Sequence, residues 1–279
     1  MTSNAQPSSD ALLSAARRGD PDALNALLER HQGQIYRFSY RMCRDAEDAE
    51  DVLQDTLLTL ARGVRDFRGS ASLSTWLFTV ARSFCIKKRR RSRSAPEETP
   101  LQSGDDGELA AEAIDPARLP DEVVAGRQVE AALEQAIRSL DPMYREVLLL
   151  RDVEGLTAPQ VAEVLGITPQ AVKSRLHRAR RTVRDRVAPL LGIPGDAPAA
   201  PGACPDVLGL YSQHLEGEIS QELCVQMERH LEGCPRCTNT CDSLKQTLAL
   251  CRTSPAPAVP TEVQRQVKQA LRGVLSEGA

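Results

Sequence analysis

The stretch LTAPQVAEVLGITPQAVKSRLHRARRTVRDRV, residues 156–187, constrains the fold more than any other part of the chain. Thr157 followed by Gln160 makes a capping box, whose side chains satisfy backbone N–H groups that a helix start leaves bare. Gly166 suits the left-handed residue that commonly ends a helix. Thr168 then caps a second helix, with Pro169 at its first position. Val161, Leu165, Ile167, Val172 and Leu176 are spaced to form a shared core. The segment is therefore two short helices joined by a tight turn.

At about 100° per residue, Val172, Leu176, Ala179 and Val183 share one face of the second helix. Lys173, Ser174, His177, Arg181 and Arg184 fall on the opposite face. A helix that is apolar on one side and basic on the other fits the major groove of DNA. Its N-terminal part would approach base edges, and the later arginines, Arg178 among them, would meet phosphates. An ordinary solvated face explains most basic helices. Here the capped helix pair and the surplus of positive charge favour DNA reading.

The rest of the chain agrees with an all-α protein. Leu, Ala, Arg and Glu dominate, and aromatic residues make up only 3% of 279 residues, so cores must be built from Leu, Val and Ala. The net charge of −3 argues against nucleic acid only as an average. Residues 45–55 and 97–122 are acidic, whereas 87–93 (KKRRRSR) and 173–186 are basic, and screening confines each block's field to about 10 Å.

Composition divides the chain into 10–93, a flexible acidic linker at 94–119, a helical region at 120–191, a proline-stiffened linker at 192–203, a cysteine-rich region at 204–251 and a tail at 252–279. A capping box at Thr261 and Gln264 predicts a last helix, with Val263, Val267, Leu271 and Val274 on one stripe. No apolar run approaches the roughly 20 residues a membrane span needs, and the first residues lack a basic-then-apolar signal pattern. A cytoplasmic protein without a membrane partner is expected, with its thiols reduced.

In the first region, residues 45–64 read as a long helix with Ala49, Leu53, Leu57 and Leu60 buried and Asp48, Asp51 and Asp55 on an exposed acidic edge. That edge suits a basic protein surface, although a merely solvated edge is the default for such a helix. FRGSASLSTWLFTVARSFCIKKRRR, 67–91, places a polar loop before a helix that ends in positive charge. Such a loop and helix could grip one strand of opened DNA. Trp76 serves equally well as a core anchor.

DAEDVLQDTLL (48–58), FRGSASLSTWLFTVAR (67–82), LDPMYREVLLLRDVEGLT (140–157) and VAEVLGITPQAVKSRLHRARRTVR (161–184), in this order, resemble the extracytoplasmic-function sigma factors of bacterial RNA polymerase. The resemblance covers about residues 10–190 and implies two sigma domains, region 2 at 10–93 and region 4 at 120–191. It implies that Asp48, Asp51, Gln54 and Asp55 dock on the β′ clamp of core polymerase, with the β flap a further contact. It also implies that the loop with Ser70, Ser72 and Ser74, beside Trp76, captures an unstacked base of the −10 element. Lys87, Lys88, Arg89 and Arg90 would meet the −10 duplex, and Lys173, Ser174 and His177 would read the −35 element. The family typically has Glu where Asp55 stands and Asn where Ser83 stands. The low aromatic content of 67–91 predicts strict dependence on promoter sequence.

The last region carries Cys204, His230, Cys234 and Cys237, four ligands suited to tetrahedral Zn²⁺. CPRC, 234–237, reads as a turn bearing two thiolates. The spacing resembles zinc-binding anti-sigma domains, and the whole chain resembles the metal-responsive, CorE-like sigma factors. Cys241, Cys251, Cys224 and His214 are secondary candidates, either buried small residues or an additional, exchanging site. Without a Cys-x-Cys pair, Zn²⁺ or Cd²⁺ is favoured over copper. Control of a sigma factor in cis by metal is the leading expectation. Zinc release with disulfide formation, or a helix-turn-helix regulator acting without polymerase, are the alternatives. No His-Glu-x-x-His motif is present, and four protein ligands leave no open position for substrate, so an enzyme is not expected.

Overall fold

The computed structural model describes residues 7–67, 69, 72–94, 120–193, 204–255 and 257–277, with backbone alone at 92–94, 120–123 and 271–277. Its elements are helices: α1 (Ser9–Arg17), α2 (Pro21–Cys43), α3 (Ala46–Gly63), α4 (Leu73–Ser94), α5 (Pro120–Ser139), α6 (Pro142–Leu148), α7 (Ala158–Leu165), α8 (Pro169–Val187), α9 (Val207–Leu215), α10 (Gln221–Gly233), α11 (Pro235–Thr253) and α12 (Thr261–Glu277). A π-helical turn, Leu149–Val153, follows α6. Except for Ser94, which ends α4, the first expected linker lies outside the described residues, as do 194–203 of the second.

The chain forms two compact units. One contains residues 1–89, 141–176 and 255–279; the other contains 90–140 and 177–254. The first unit is built on α2 and α3. Asp20 and Asp45 cap these helices, so each starts where a side-chain oxygen meets bare N–H groups. Leu27, Phe38, Leu53, Leu57, Leu60 and Leu77 are fully buried, each worth roughly 1.5–3 kcal/mol in transfer free energy. Phe38 and Phe78 meet edge to face at 5.4 Å. Ala49, Leu53, Leu57 and Leu60 of α3 are buried as their spacing predicts.

The capped helix pair forms as expected. Gln160 N donates to Thr157 Oγ1, and Thr157 N donates to Gln160 Oε1 at 2.8 Å. Gly166 takes φ +66°, and Thr168 Oγ1 accepts from Ala171 N at 3.2 Å. Val161, Leu165, Val172 and Leu176 are buried, while Ile167 is half-buried.

α12 belongs to the first unit and packs on α3, burying Val263 and Val267. The expected capping box is replaced. Thr261 is already helical, and Gln264 Nε2 instead donates to the Val259 carbonyl at 2.9 Å. The side chains of Leu271 and Val274 lie outside the described residues. In the second unit α9, α10 and α11 pack on one another, and α11 also contacts α5.

Candidate metal centre and nucleic-acid interface

Three helices converge on the cysteine cluster. Cys204 precedes α9, and His230 lies in the last turn of α10. Cys234 is at once the C-cap of α10 and the N-cap of α11, with extended backbone (φ −130°, ψ 92°). CPRC is thus a helix start rather than a free turn. Pro235 at the first position pre-sets the helical φ and places Cys237 in the first turn. Thr238 Oγ1, which donates to the Leu231 carbonyl at 2.6 Å, braces this corner.

The donor atoms of Cys204, His230, Cys234 and Cys237 all lie within 4.8 Å of one another. Cys204 and Cys234 sulfurs are 3.9 Å apart, close to the ~3.8 Å edge of a tetrahedron with zinc–sulfur bonds of about 2.3 Å. His230 Nε2 lies 3.2 Å from Cys237 Sγ. Burial, aided by the Cys234 and Cys204 thiols, pushes Cys237 up to about 12. Thiolates this close would repel one another, and a divalent cation relieves that repulsion. The Cys₃His set therefore fits a closed zinc site.

The secondary candidates do not join this set. Cys241 is buried beside it in a cluster with Val207, Cys234 and Cys237, and burial pushes its thiol up to about 11. Cys251 is buried further along α11. Cys224 meets His214 Nδ1 at 3.7 Å, pairing α10 with α9 away from the four ligands.

On α8, Ser174, Arg178 and Arg181 are exposed, while Lys173 and His177 are half-buried. Arg184, expected on the basic face, is tied to Ser243 Oγ of α11 at 2.8 Å. Its long side chain reaches a hydroxyl that helix periodicity alone does not reveal. Arg180 escaped the sequence reading altogether. It is buried and donates to Glu216 Oε1 at 2.7 Å and Ser212 Oγ at 3.0 Å, both from α9 and its C-cap. The signal was present, since Arg180 sits four residues after Leu176 and three before Val183, on the apolar stripe.

In the first unit, Asp51 and Asp55 are exposed and Asp48 and Gln54 half-buried. Lys88, expected to face DNA, bonds Asp51 and lies 3.3 Å from Asp48. Opposite charges on α3 and α4 attract before any external partner is present. Lys87, Arg89 and Arg90 are exposed. Ser72 caps α4, with its Oγ accepting from Thr75 N at 3.1 Å. Ser74 is half-buried, and half-buried Trp76 meets Phe67 edge to face at 5.9 Å. Ser70 lies outside the described residues. Two further ion pairs join residues far apart in sequence. Arg37 grips Glu154 through two 2.7 Å bonds, and Arg82 Nε meets Glu146 at 3.0 Å.

A helix-turn-helix with an exposed basic flank, on a chain with an acid-edged helix and a thiol-rich knuckle, fits a transcription factor. Comparison places it more narrowly. Residues 27–95 match the family described as "Sigma-70 region 2", residues 130–183 match "Sigma-70, region 4", and residues 204–238 match "Putative zinc-finger". The chain is 35% identical over 218 residues to the ECF RNA polymerase sigma factor SigG of Mycobacterium tuberculosis, covering 72% of this chain and 57% of that protein. It is 30% identical to the RNA polymerase sigma-H factor of Pseudomonas aeruginosa, over 67% of this chain and 97% of that one. With SigM of Mycobacterium tuberculosis the identity is 34%, over 66% and 85% respectively. The chain belongs to the extracytoplasmic-function family of RNA polymerase sigma factors, which are not enzymes. No helix among the described residues is long and apolar enough to cross a membrane.

Proposed function

We propose that this chain directs core RNA polymerase to promoters in the cytoplasm, and that metal at its C-terminal knuckle controls that activity in cis. Asp51 and Asp55, with Asp48 and Gln54 beside them, dock on the polymerase clamp. Ser72, Ser74, Trp76 and the 87–90 basic segment engage the −10 element, and Lys173, Ser174, His177, Arg178 and Arg181 the −35 element. The exposure of Asp51, Asp55, Ser174, Arg178 and Arg181 supports these assignments.

One observation carries the metal reading. Arg180, on the helix that presents the basic face, is held by Glu216 at the end of α9. Cys204, His230, Cys234 and Cys237 would hold zinc, which supplies positive charge and a fixed tetrahedral node joining α9, α10 and α11. Chelation loosens α9 and so releases Arg180, changing how α8 is presented to DNA.

Transcription from a cognate promoter, reconstituted with core polymerase, tests this. The zinc-loaded chain and the chelated chain should differ by about 5-fold or more, the lower end of typical coupling energies. Cadmium, which takes the same thiolate-rich set, should substitute for zinc. A Cys234→Ser, Cys237→Ser variant should give one metal-independent level. If that variant responds to metal as the intact chain does, control at this site is wrong. If no level of transcription appears with any metal, the sigma-factor role of this chain is wrong.

A further inference from the structure

The two cysteines outside the C-terminal region meet each other. Cys43 is the last residue of α2, and Cys85 lies within α4, 42 residues later. Their sulfurs are 3.1 Å apart. A disulfide requires about 2.05 Å, so roughly 1 Å of approach closes the bond. Cys85 is buried and Cys43 is half-buried, so only Cys43 has a path to solvent. Buried free cysteines usually act as small apolar residues. Two of them in sulfur–sulfur contact on separate helices are also a poised dithiol.

The geometry points to Cys43 and Cys85 as a reversible oxidation site that is separate from the zinc knuckle. A hydroperoxide accepts the sulfur electron pair of the Cys43 thiolate. The O–O bond breaks, the alcohol or water leaves, and Cys43 becomes a sulfenic acid. The Cys85 sulfur then attacks Cys43, forming the S–S bond as the sulfenic hydroxide leaves with the Cys85 proton as water. In sum two thiols and one peroxide give one disulfide, one water and one alcohol or second water. The hydrogen bond with Cys43, and then burial, hold the Cys85 thiol well above its ordinary value, which keeps the reduced pair at rest until Cys43 has been oxidised. In a reducing compartment such a bond is transient, as redox-sensing disulfides are.

The position gives the bond consequences. Arg44, which follows Cys43 with φ +68°, turns the chain into α3, the acidic docking helix. Two residues beyond Cys85, the basic run begins at Lys87. α6 reaches the same corner, with Arg145 Nη1 lying 3.5 Å from the Met42 carbonyl. A covalent link here ties the root of the docking helix to the root of the basic helix end.

The test uses the full chain with zinc bound, treated with hydrogen peroxide and mapped by mass spectrometry of non-reduced peptides. The expected result is a Cys43–Cys85 cross-linked peptide, two hydrogens lighter than its reduced parts and reversed by dithiothreitol, with bound zinc unchanged. The oxidised chain should also unfold roughly 5 °C higher, because the link restrains the unfolded state. Cys43→Ser and Cys85→Ser should each remove the peptide and the shift. Cys43 and Cys85 remaining separately alkylatable after treatment would overturn the proposal. So would over-oxidation of Cys43 alone, or a link from Cys43 only to the C-terminal cysteines. None of these readouts depends on metal control of transcription.

Discussion

Arg180 is the residue on which the second unit turns. Its guanidinium and the Glu216 carboxylate are both nearly out of water, at 2% and 4% exposure. Removing one partner leaves the other charge buried and uncompensated, which costs about 3 kcal/mol or more. Arg180→Ala should therefore lower the urea midpoint of the second unit sharply. Unchanged unfolding would mean that Glu216 rehydrates freely. His31 makes a second prediction in the first unit. Burial lowers its pKa below 6.5, helped by Arg30 and opposed by Gln34, and its Nε2 has no partner among the described residues. The folded state thus binds fewer protons than the unfolded chain. Stability is full above about pH 6.5 and is lost as pH falls through that value towards the lower folded one. Between pH 7.5 and 5.5 the native chain should lose more thermal stability than His31→Gln; equal losses would rule out His31 as the cause. The four metal ligands were legible because ligand spacing is written along one short segment. Arg180, His31 and Arg37 were not, because spacing shows that a polar residue falls among apolar ones and not which distant group satisfies it.

At the scale of elements, caps were the most legible feature. Thr157, Gln160, Gly166 and Thr168 act on backbone within a few residues, so local sequence decides them. The tail helix shows the limit. Its apolar stripe announced burial without naming the surface, and the surface is α3. Because α3 carries the proposed polymerase-docking edge, α12 and core polymerase would on that proposal share one helix. Among the described residues an exposed pair, Lys268 with Glu29 of α2 at 3.0 Å, adds to the buried valines, and such pairs contribute little. A chain ending at Ser254 should bind core polymerase about 5-fold more tightly or better, as competition between two occupants of one helix requires. Val263→Asp with Val267→Asp should do the same in the full-length chain. Equal affinities, measured by fluorescence anisotropy, would show that α12 leaves the docking edge free.

At the scale of the molecule, sequence order and spatial order part company. By composition 10–93 and 120–191 are separate blocks. In the first compact unit, helices of the first block hold α6 and the π-helical turn after it. Two ion pairs, Arg37 with Glu154 and Arg82 with Glu146, cross that association beside the buried Val147, Leu148, Leu149 and Leu150. Glu154 is 1% exposed and Arg37 31%, so the carboxylate depends on this one bidentate partner for much of what water gave it. Arg82 and Glu146 repeat the arrangement a short way along. On the proposed engagement of two separate promoter elements these blocks must part, and the two pairs would then act as a latch released at a cost. Arg37→Ala strands Glu154, and the least costly response is for the helices to separate and rehydrate it. Fluorophores on α2 and α7 should report a larger mean separation in Arg37→Ala, and larger still when Arg82→Ala is added. Salt should open the native latch only weakly, since a buried pair is poorly screened. Restoring charge by Arg37→Lys should reclose it incompletely, because an ammonium cannot reproduce the two-pronged grip. If separation is the same in all four chains, the blocks are held by apolar packing and the ion pairs merely decorate the seam.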